Sequence, residues 1–245
     1  MENQFKLIII IPCYNEEYRL PQQDFLDFIS VNDIHFCFVN DGSSDRTIDV
    51  LQRLKEAFSD KISIIDYENN VGKAEAIRKG VHSIVSQKKY EYIGYFDADL
   101  ATPLKEIQLL LNSLELSDLY EFSFGARVLR LGSIIERSSL RHYLSRLFAT
   151  FASMILKLPV YDTQCGAKIF KIKLAQIIFM DPFITNWLFD IELFARTKNV
   201  RRGIQPFIEI PLNQWIEKGG SKIKLRDMFM FPLELMKISN YYSKK

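Results

Sequence analysis

The strongest constraint on this chain's fold is an alternation. Short apolar runs rich in Ile, Val, Phe and Tyr recur at Lys6–Pro12, His35–Asn40, Ile62–Tyr67 and Tyr92–Phe96, with segments of helical length between them. Runs of this kind read as strands buried on both faces. Phe25–Ile29, Thr47–Phe58 and Ala74–Ser86 occupy the intervening segments. The second of these follows Asp41-Gly42-Ser43-Ser44-Asp45, a polar cluster suited to starting a helix. Strand and helix in alternation predict an α/β fold, Rossmann-like, with a mostly parallel central sheet flanked by helices. Ligands of such sheets gather beyond the carboxyl ends of the strands.

The second half is less regular. Strands are expected at Glu121–Ala126, Gly166–Lys171 and Phe207–Trp215. Leu140, Leu144, Leu147, Phe148, Phe151 and Ile155 follow helical spacing, which predicts an amphipathic helix over about residues 138–157. Leu225–Tyr242 is apolar, aromatic and helix-like, and Pro232 either kinks it or starts a second helix. With 245 residues, 48% of them hydrophobic, the chain can build one good core but hardly two. The expected organisation is a single domain over residues 1–217 and a basic amphipathic segment over 218–245.

No apolar run approaches the roughly 18–20 residues needed to span a bilayer. Leu7–Ile11 is a five-residue run stopped by Pro12, with no small-residue cleavage site, and reads as a strand instead of a signal peptide. Cys13, Cys37 and Cys165 are widely spaced and odd in number, as for reduced thiols in the cytoplasm. Charge is uneven. Residues 127–146 carry five Arg against one Glu, and residues 218–245 carry seven Lys and Arg against Asp227 and Glu234. The net charges are +4 and +5, so the rest of the chain sums to −7 of the overall +2. Two basic segments on an acidic body fit either an anionic partner or solvated helix faces.

Polar residues cluster where the strands end. The four runs lead into Pro12-Cys13-Tyr14-Asn15-Glu16, Asp41-Gly42-Ser43, Asn70-Val71-Gly72-Lys73 and Asp97-Ala98-Asp99. At one edge of a sheet these place an aromatic ring, a carboxylate for ribose or base edges, a lysine for phosphate and paired carboxylates around one crevice. That set suits a nucleoside diphosphate with a hard cation, Mg²⁺ or Mn²⁺, on Asp97 and Asp99. Each element alone has a plainer reading. Asp97-Ala98-Asp99 is also a plausible solvated turn, Asp41-Gly42-Ser43 a turn before a helix, and Tyr14 a packing residue.

The ordered set resembles family 2 glycosyltransferases. Ile-Pro-Cys-Tyr-Asn-Glu-Glu (11–17), Val-Asn-Asp-Gly-Ser-Ser-Asp-Arg-Thr (39–47), Asn-Val-Gly-Lys (70–73) with Gly80, and Asp97-Ala98-Asp99 are similar to the family's successive signatures. The resemblance covers about residues 5–215. Asp162-Thr163-Gln164-Cys165-Gly166-Ala167-Lys168-Ile169-Phe170 and Trp187-Leu188-Phe189-Asp190-Ile191-Glu192 narrow it to polyprenyl-phosphate sugar transferases, most of all the dolichyl-phosphate β-glucosyltransferases.

The resemblance implies a GT-A fold and inverting transfer from a nucleotide sugar, UDP-glucose before GDP-mannose, to a polyprenyl-phosphate lipid. Pro12, Tyr14, Asn15, Glu16, Val39, Asp41, Ser43 and Lys73 would hold the nucleotide end, and Asp97, Ala98 and Asp99 the diphosphate and metal. Asp162 and Gln164 are further sugar-side candidates, and Arg127 would approach the sugar-phosphate. Arg141 and Ser145 match positions that hold the acceptor phosphate, with Arg137 one turn earlier. Two departures stand out. Ala74 replaces a second Gly, and Leu100-Ala101 lacks the Gln of mannosyl enzymes, which leaves a third metal ligand unassigned.

A phosphate acceptor needs cations to position it, whereas a hydroxyl acceptor needs a general base, for which Asp190 or Glu192 is the candidate; with a lipid-phosphate acceptor these two would instead hold sugar hydroxyls. Trp187 offers either a face for a sugar or a core ring. A lipid acceptor implies peripheral attachment at a membrane surface, and no nucleic acid is implied. A hydroxyl-glycosylating family 2 enzyme, a nucleotidyltransferase and a non-catalytic nucleotide-sugar module are the competing functions. The nucleotidyltransferase would be expected to have a Gly-rich loop where this chain has Pro12-Cys13-Tyr14-Asn15.

Overall fold

The computed structural model describes residues 5–87, 89–219 and 225–242. The first half alternates as the apolar pattern requires: β1 (Leu7–Cys13), α1 (Gln22–Val31), β2 (His35–Asp41), α2 (Thr47–Ala57), β3 (Ile62–Tyr67), α3 (Lys73–Val85) and β4 (Tyr92–Phe96). The second half adds α4 (Glu106–Glu115), β5 (Phe122–Ala126), β6 (Ile134–Glu136), α5 (Ser139–Leu156), β7 (Ala167–Lys171), α6 (Ile172–Ile178) and α7 (Phe189–Val200). β8 (Phe207–Pro211), β9 (Gln214–Ile216) and α8 (Leu225–Tyr242) follow.

The main sheet has seven strands in the order β3-β2-β1-β4-β7-β5-β8. β1, β2, β3 and β4 pair in parallel, as do β5 and β8, and β7 runs antiparallel between β4 and β5. β1 shows why the strands are apolar throughout. Ile8 and Ile10 enter one core with α3, α6 and α7, while Leu7, Ile9 and Ile11 enter another with α1, α2 and α4. Helices therefore cover both faces, and polar loops are forced to the strand ends.

The single strand expected over Phe207–Trp215 is two strands. β8 ends at Pro211, which has no N–H for the ladder. Leu212 is then fully buried, Asn213 N donates to the Glu106 carboxylate at 3.2 Å, and β9 pairs with β6 in a separate sheet. The tail is one helix with Pro232 inside it. Leu235 and Ile238 bury into the core, the Phe231 ring packs at a tilt against Phe148 of α5 with centroids 4.2 Å apart, and Lys237 Nζ donates to Ile184 O at 2.7 Å. No helix among the described residues is long and apolar enough to cross a membrane.

Candidate active site

The four polar clusters do meet at one edge. Asn15, in a left-handed conformation (φ 53°), donates its N–H to Ser43 Oγ at 3.0 Å and accepts Ser44 N at Oδ1 at 2.8 Å. Glu16 N donates to Thr47 Oγ1 at 2.8 Å. Asn15 and Ser43 thus lock the first two strand-end loops together, and Tyr14 beside them in the chain is about one third exposed. Pro12 and Val39 face each other in the β1–β2 ladder, and Val39 is fully buried.

Asp41 ends β2 with a nearly buried carboxylate. It accepts Val71 N at 2.8 Å, Gly72 N at 2.9 Å and Asn70 Nδ2 at 3.0 Å, and so shapes the loop that delivers Lys73. Gly42 (φ 62°) permits this approach, because a Cβ there would lie 2.4 Å from the backbone of Asn69 and Asn70. Ala74 is buried and α3 begins at Lys73 immediately after Gly72, so the second glycine is not required.

Lys73 Nζ donates to Asp97 Oδ1, and Arg19 Nη2 lies 3.6 Å from Asp99 Oδ2. Burial opposes the Lys73 charge, but Asp97, Asp190 and Asp99 outweigh it and raise its pKa. Ala98 is buried between the two carboxylates, and Asp99 Oδ1 also caps Ala101 N at 3.0 Å. Gly166, which precedes β7, packs directly on Asp97, since a Cβ there would lie 2.1 Å from Asp97 Oδ2. Among the described residues no group of three His, Cys, Asp or Glu side chains is placed to hold a metal.

Arg127 and Asp162, expected as separate ligand contacts, are partners of each other. Arg127 Nε and Nη2 donate to the Asp162 carboxylate at 2.6 and 2.8 Å, and Arg127 N adds a third bond at 3.1 Å. Gln164 N donates to the same carboxylate at 3.1 Å. Burial disfavours ionising Asp162, yet Arg127 brings its pKa down to about 2. The folded pKa is thus below the unfolded value, so the pair stabilises the fold above about pH 4 and ceases to as pH falls to about 2. Urea unfolding over that window should show a loss about 2 kcal/mol larger in the wild type than in Asp162→Asn.

Arg137 has a different environment. Its guanidinium donates to Ser145 Oγ and to Arg127 O, both at 3.2 Å. It has no carboxylate partner among the described residues. Burial and the neighbouring Arg127 lower its pKa. Ser145 thus lies beside Arg137, which precedes α5 instead of standing on it one turn before Arg141. Arg141 falls on α5, but its side chain lies outside the described residues.

Of the two expected bases, Glu192 is the one enclosed by other groups. It is fully buried and accepts bonds from Ile184 N at 3.0 Å, Arg196 Nη2 at 2.7 Å and Tyr242 OH at 2.7 Å, which makes it a structural hub joining α7 to α8. Asp190 accepts Tyr95 OH and Lys168 Nζ, each at 2.5 Å. Trp187 is half-exposed, so it is not a core ring. Arg19, Tyr95 and Lys168 were not expected at the site; the only signal is Lys168 itself, a cation among the apolar residues of β7.

A sequence profile of glycosyl transferase family 2 matches residues 8–179, more than two thirds of the chain. The chain belongs to glycosyl transferase family 2. Relatives within this family include a Mus musculus protein named dolichyl-phosphate beta-glucosyltransferase, 32% identical over 89% of this chain and 69% of its own length. A Dictyostelium discoideum protein of the same name is 31% identical over 94% of this chain and 72% of its own. The sheet is also that of solved GT-A enzymes. Glucosyl-3-phosphoglycerate synthase from Mycobacterium tuberculosis, crystallised with Mn²⁺, UDP and phosphoglyceric acid, superposes with a TM-score of 0.69 at 15% identity, covering 97% of this chain and 78% of that one.

Proposed function

We propose that this family 2 enzyme transfers glucose from UDP-glucose to a dolichyl-type polyprenyl phosphate, with inversion at the anomeric carbon. The observation that carries the reading is a carboxylate pair held by cations together with a separate guanidinium. Asp97 and Asp99 lie with Lys73 and Arg19, whereas Arg137 lies beside Ser145 and has no carboxylate partner among the described residues. A donor diphosphate suits the first and an acceptor phosphate the second. The names of the relatives supply the sugar and the lipid.

Asp97 and Asp99 are the residues that would hold a divalent cation, Mg²⁺ or Mn²⁺. Their oxygens are hard donors, and Gly166 leaves room for the Asp97 carboxylate that any side chain would fill. Bound there, the cation supplies neutralising charge for the departing diphosphate. Tyr14 gives the nucleoside a ring face, Asp41 sets the loop that presents Lys73, and Lys73 reaches the diphosphate. The acceptor phosphate carries about −1.5 to −2 charge near neutral pH and attacks without a base. Arg137, Arg141 and Ser145 align it, while Asp162 holds Arg127 in place. Asp190 faces the sugar instead of serving as the base.

The lipid chain requires a membrane surface. Tyr143, Leu147, Phe151 and Met154 form an exposed apolar stripe along α5, and Leu233, Met236 and Tyr241 are exposed on α8. These faces, with the basic 218–245 segment, fit peripheral attachment at the bilayer boundary.

Radiolabelled UDP-glucose incubated with dolichyl phosphate and Mn²⁺ should give an organic-extractable labelled product. No product from any of several UDP- and GDP-sugars would end the lipid-phosphate reading. Arg137→Ala should raise the KM for dolichyl phosphate about tenfold while the KM for UDP-glucose moves less than about twofold. Equal rises in both would remove Arg137 from the acceptor site.

A further inference from the structure

Lys168 is a fully buried cation to which the steps above give no task. It lies within β7 with no solvent exposure, directly across the ladder from Tyr95 of β4. Its Nζ donates to Asp190 Oδ1 and to Cys165 O, each at 2.5 Å, and sits 5.6 Å from the centre of the Tyr95 ring. Tyr95 OH donates to the same Oδ1 at 2.5 Å. An ammonium taken wholly out of water is costly and persists only where its partners offset that cost.

The two bonds point to different parts of the crevice. Both donors to Asp190 end on Oδ1, and Oδ2 accepts none from the described residues. Asp190 is also close enough to act electrostatically on Lys73 together with Asp97. On its other side Lys168 fixes Cys165 O, one residue before Gly166, whose Cα carries the Asp97 carboxylate packed against it. Tyr95 lies two residues before Asp97 on the same strand-to-loop path. One ammonium therefore ties Asp190 to the backbone beneath Asp97.

We propose that Lys168 is a positioning residue for the transfer. It holds Asp190 at a set place relative to Asp97, so that Asp190 Oδ2 accepts a sugar hydroxyl while Asp97 serves the diphosphate. This rests on the nucleotide-sugar reading above. A clamp of this kind registers the sugar on its leaving group, and an error of about 1 Å in such registration costs about 10²-fold in rate. Tyr95 is the second half of the clamp, through the donor it adds at Oδ1.

Lys168→Met keeps the length of the side chain and removes the charge. The probes are UDP and UDP-glucose, titrated calorimetrically with Mn²⁺, alongside turnover with dolichyl phosphate. In the variant the Kd for UDP should stay within about twofold of wild type, and the ratio of the UDP-glucose Kd to the UDP Kd should rise about tenfold. kcat should fall by about 10²-fold. Tyr95→Phe, a milder change, should shift the same ratio in the same direction, and it decides the matter if Lys168→Met does not fold. Equal weakening of UDP and UDP-glucose in whichever variant folds overturns the proposal, because a residue that merely supports the sheet would act that way. An unchanged ratio overturns it too. A wild type that neither binds UDP-glucose nor transfers from it defeats the donor reading and this inference with it. A wild type that does both, beside variants with an unchanged ratio, defeats the clamp alone.

Discussion

Asp97→Ala should lower kcat/KM by about 10²–10³-fold while leaving the fold intact. The carboxylate is about one third exposed and makes its ion pair with Lys73 at the rim of the crevice. Its loss removes no core contact, so the shift in Tm should be a few degrees at most. In the proposed transfer the chemistry would depend on it far more. The charge that develops as the diphosphate departs would be met where Asp97, Asp99 and Lys73 converge, and Asp97 touches Lys73 directly. Asp99→Ala should be similarly slow but less stable, because Asp99 Oδ1 also caps Ala101 N after the left-handed Leu100. Steady-state kinetics across a Mn²⁺ series check both. Full turnover in Asp97→Ala at every Mn²⁺ concentration would remove the carboxylate pair from the mechanism.

The same cluster marks how far the sequence could be read. β1 to β4 were legible because each strand is buried on both faces and its apolar run is bounded by polar residues. Their parallel order follows from the helices between them, so the strand ends carrying Asp41, Lys73 and Asp97 had to share an edge. The placement of β7 was not legible. Nothing local in Ala167–Lys171 says that it inserts antiparallel between β4 and β5, because that choice depends on residues far along the chain. Lys168 was missed for the same reason. A lysine next to Ile169 reads as the solvent side of a strand until the first turn of α7 brings Asp190 to it. Glu192 shows the converse: on α7 it looks as available as Asp190, and only the fold shows that Arg196 and Tyr242 enclose it. Arg127 and Asp162, 35 residues apart, carry no local sign that they neutralise each other.

Gly166→Ala should inactivate the enzyme nearly as fully as Asp97→Ala, without altering a single polar group. A Cβ on residue 166 would lie 2.1 Å from Asp97 Oδ2 and 2.3 Å from its Cγ, far inside contact distance. The backbone has little freedom to yield, since Lys168 holds Cys165 O on one side and β7 pairs with both neighbours on the other. Asp97 must therefore turn away, which separates it from Lys73 and pulls apart the carboxylate pair. Overpacking of this kind costs about 1–3 kcal/mol of stability, so the variant should fold with a lowered Tm. Its kcat/KM should fall about 10²-fold or more, with a higher Mn²⁺ concentration needed for half-maximal rate. The decisive comparison is the double variant. If Gly166 matters because it gives Asp97 its place, then Asp97→Ala with Gly166→Ala should be no slower than Asp97→Ala alone, the non-additivity expected of residues that act as one unit. Losses that multiply would mean that the methyl group disturbs something other than Asp97, and the packing of glycine against carboxylate would then not be what orders this site.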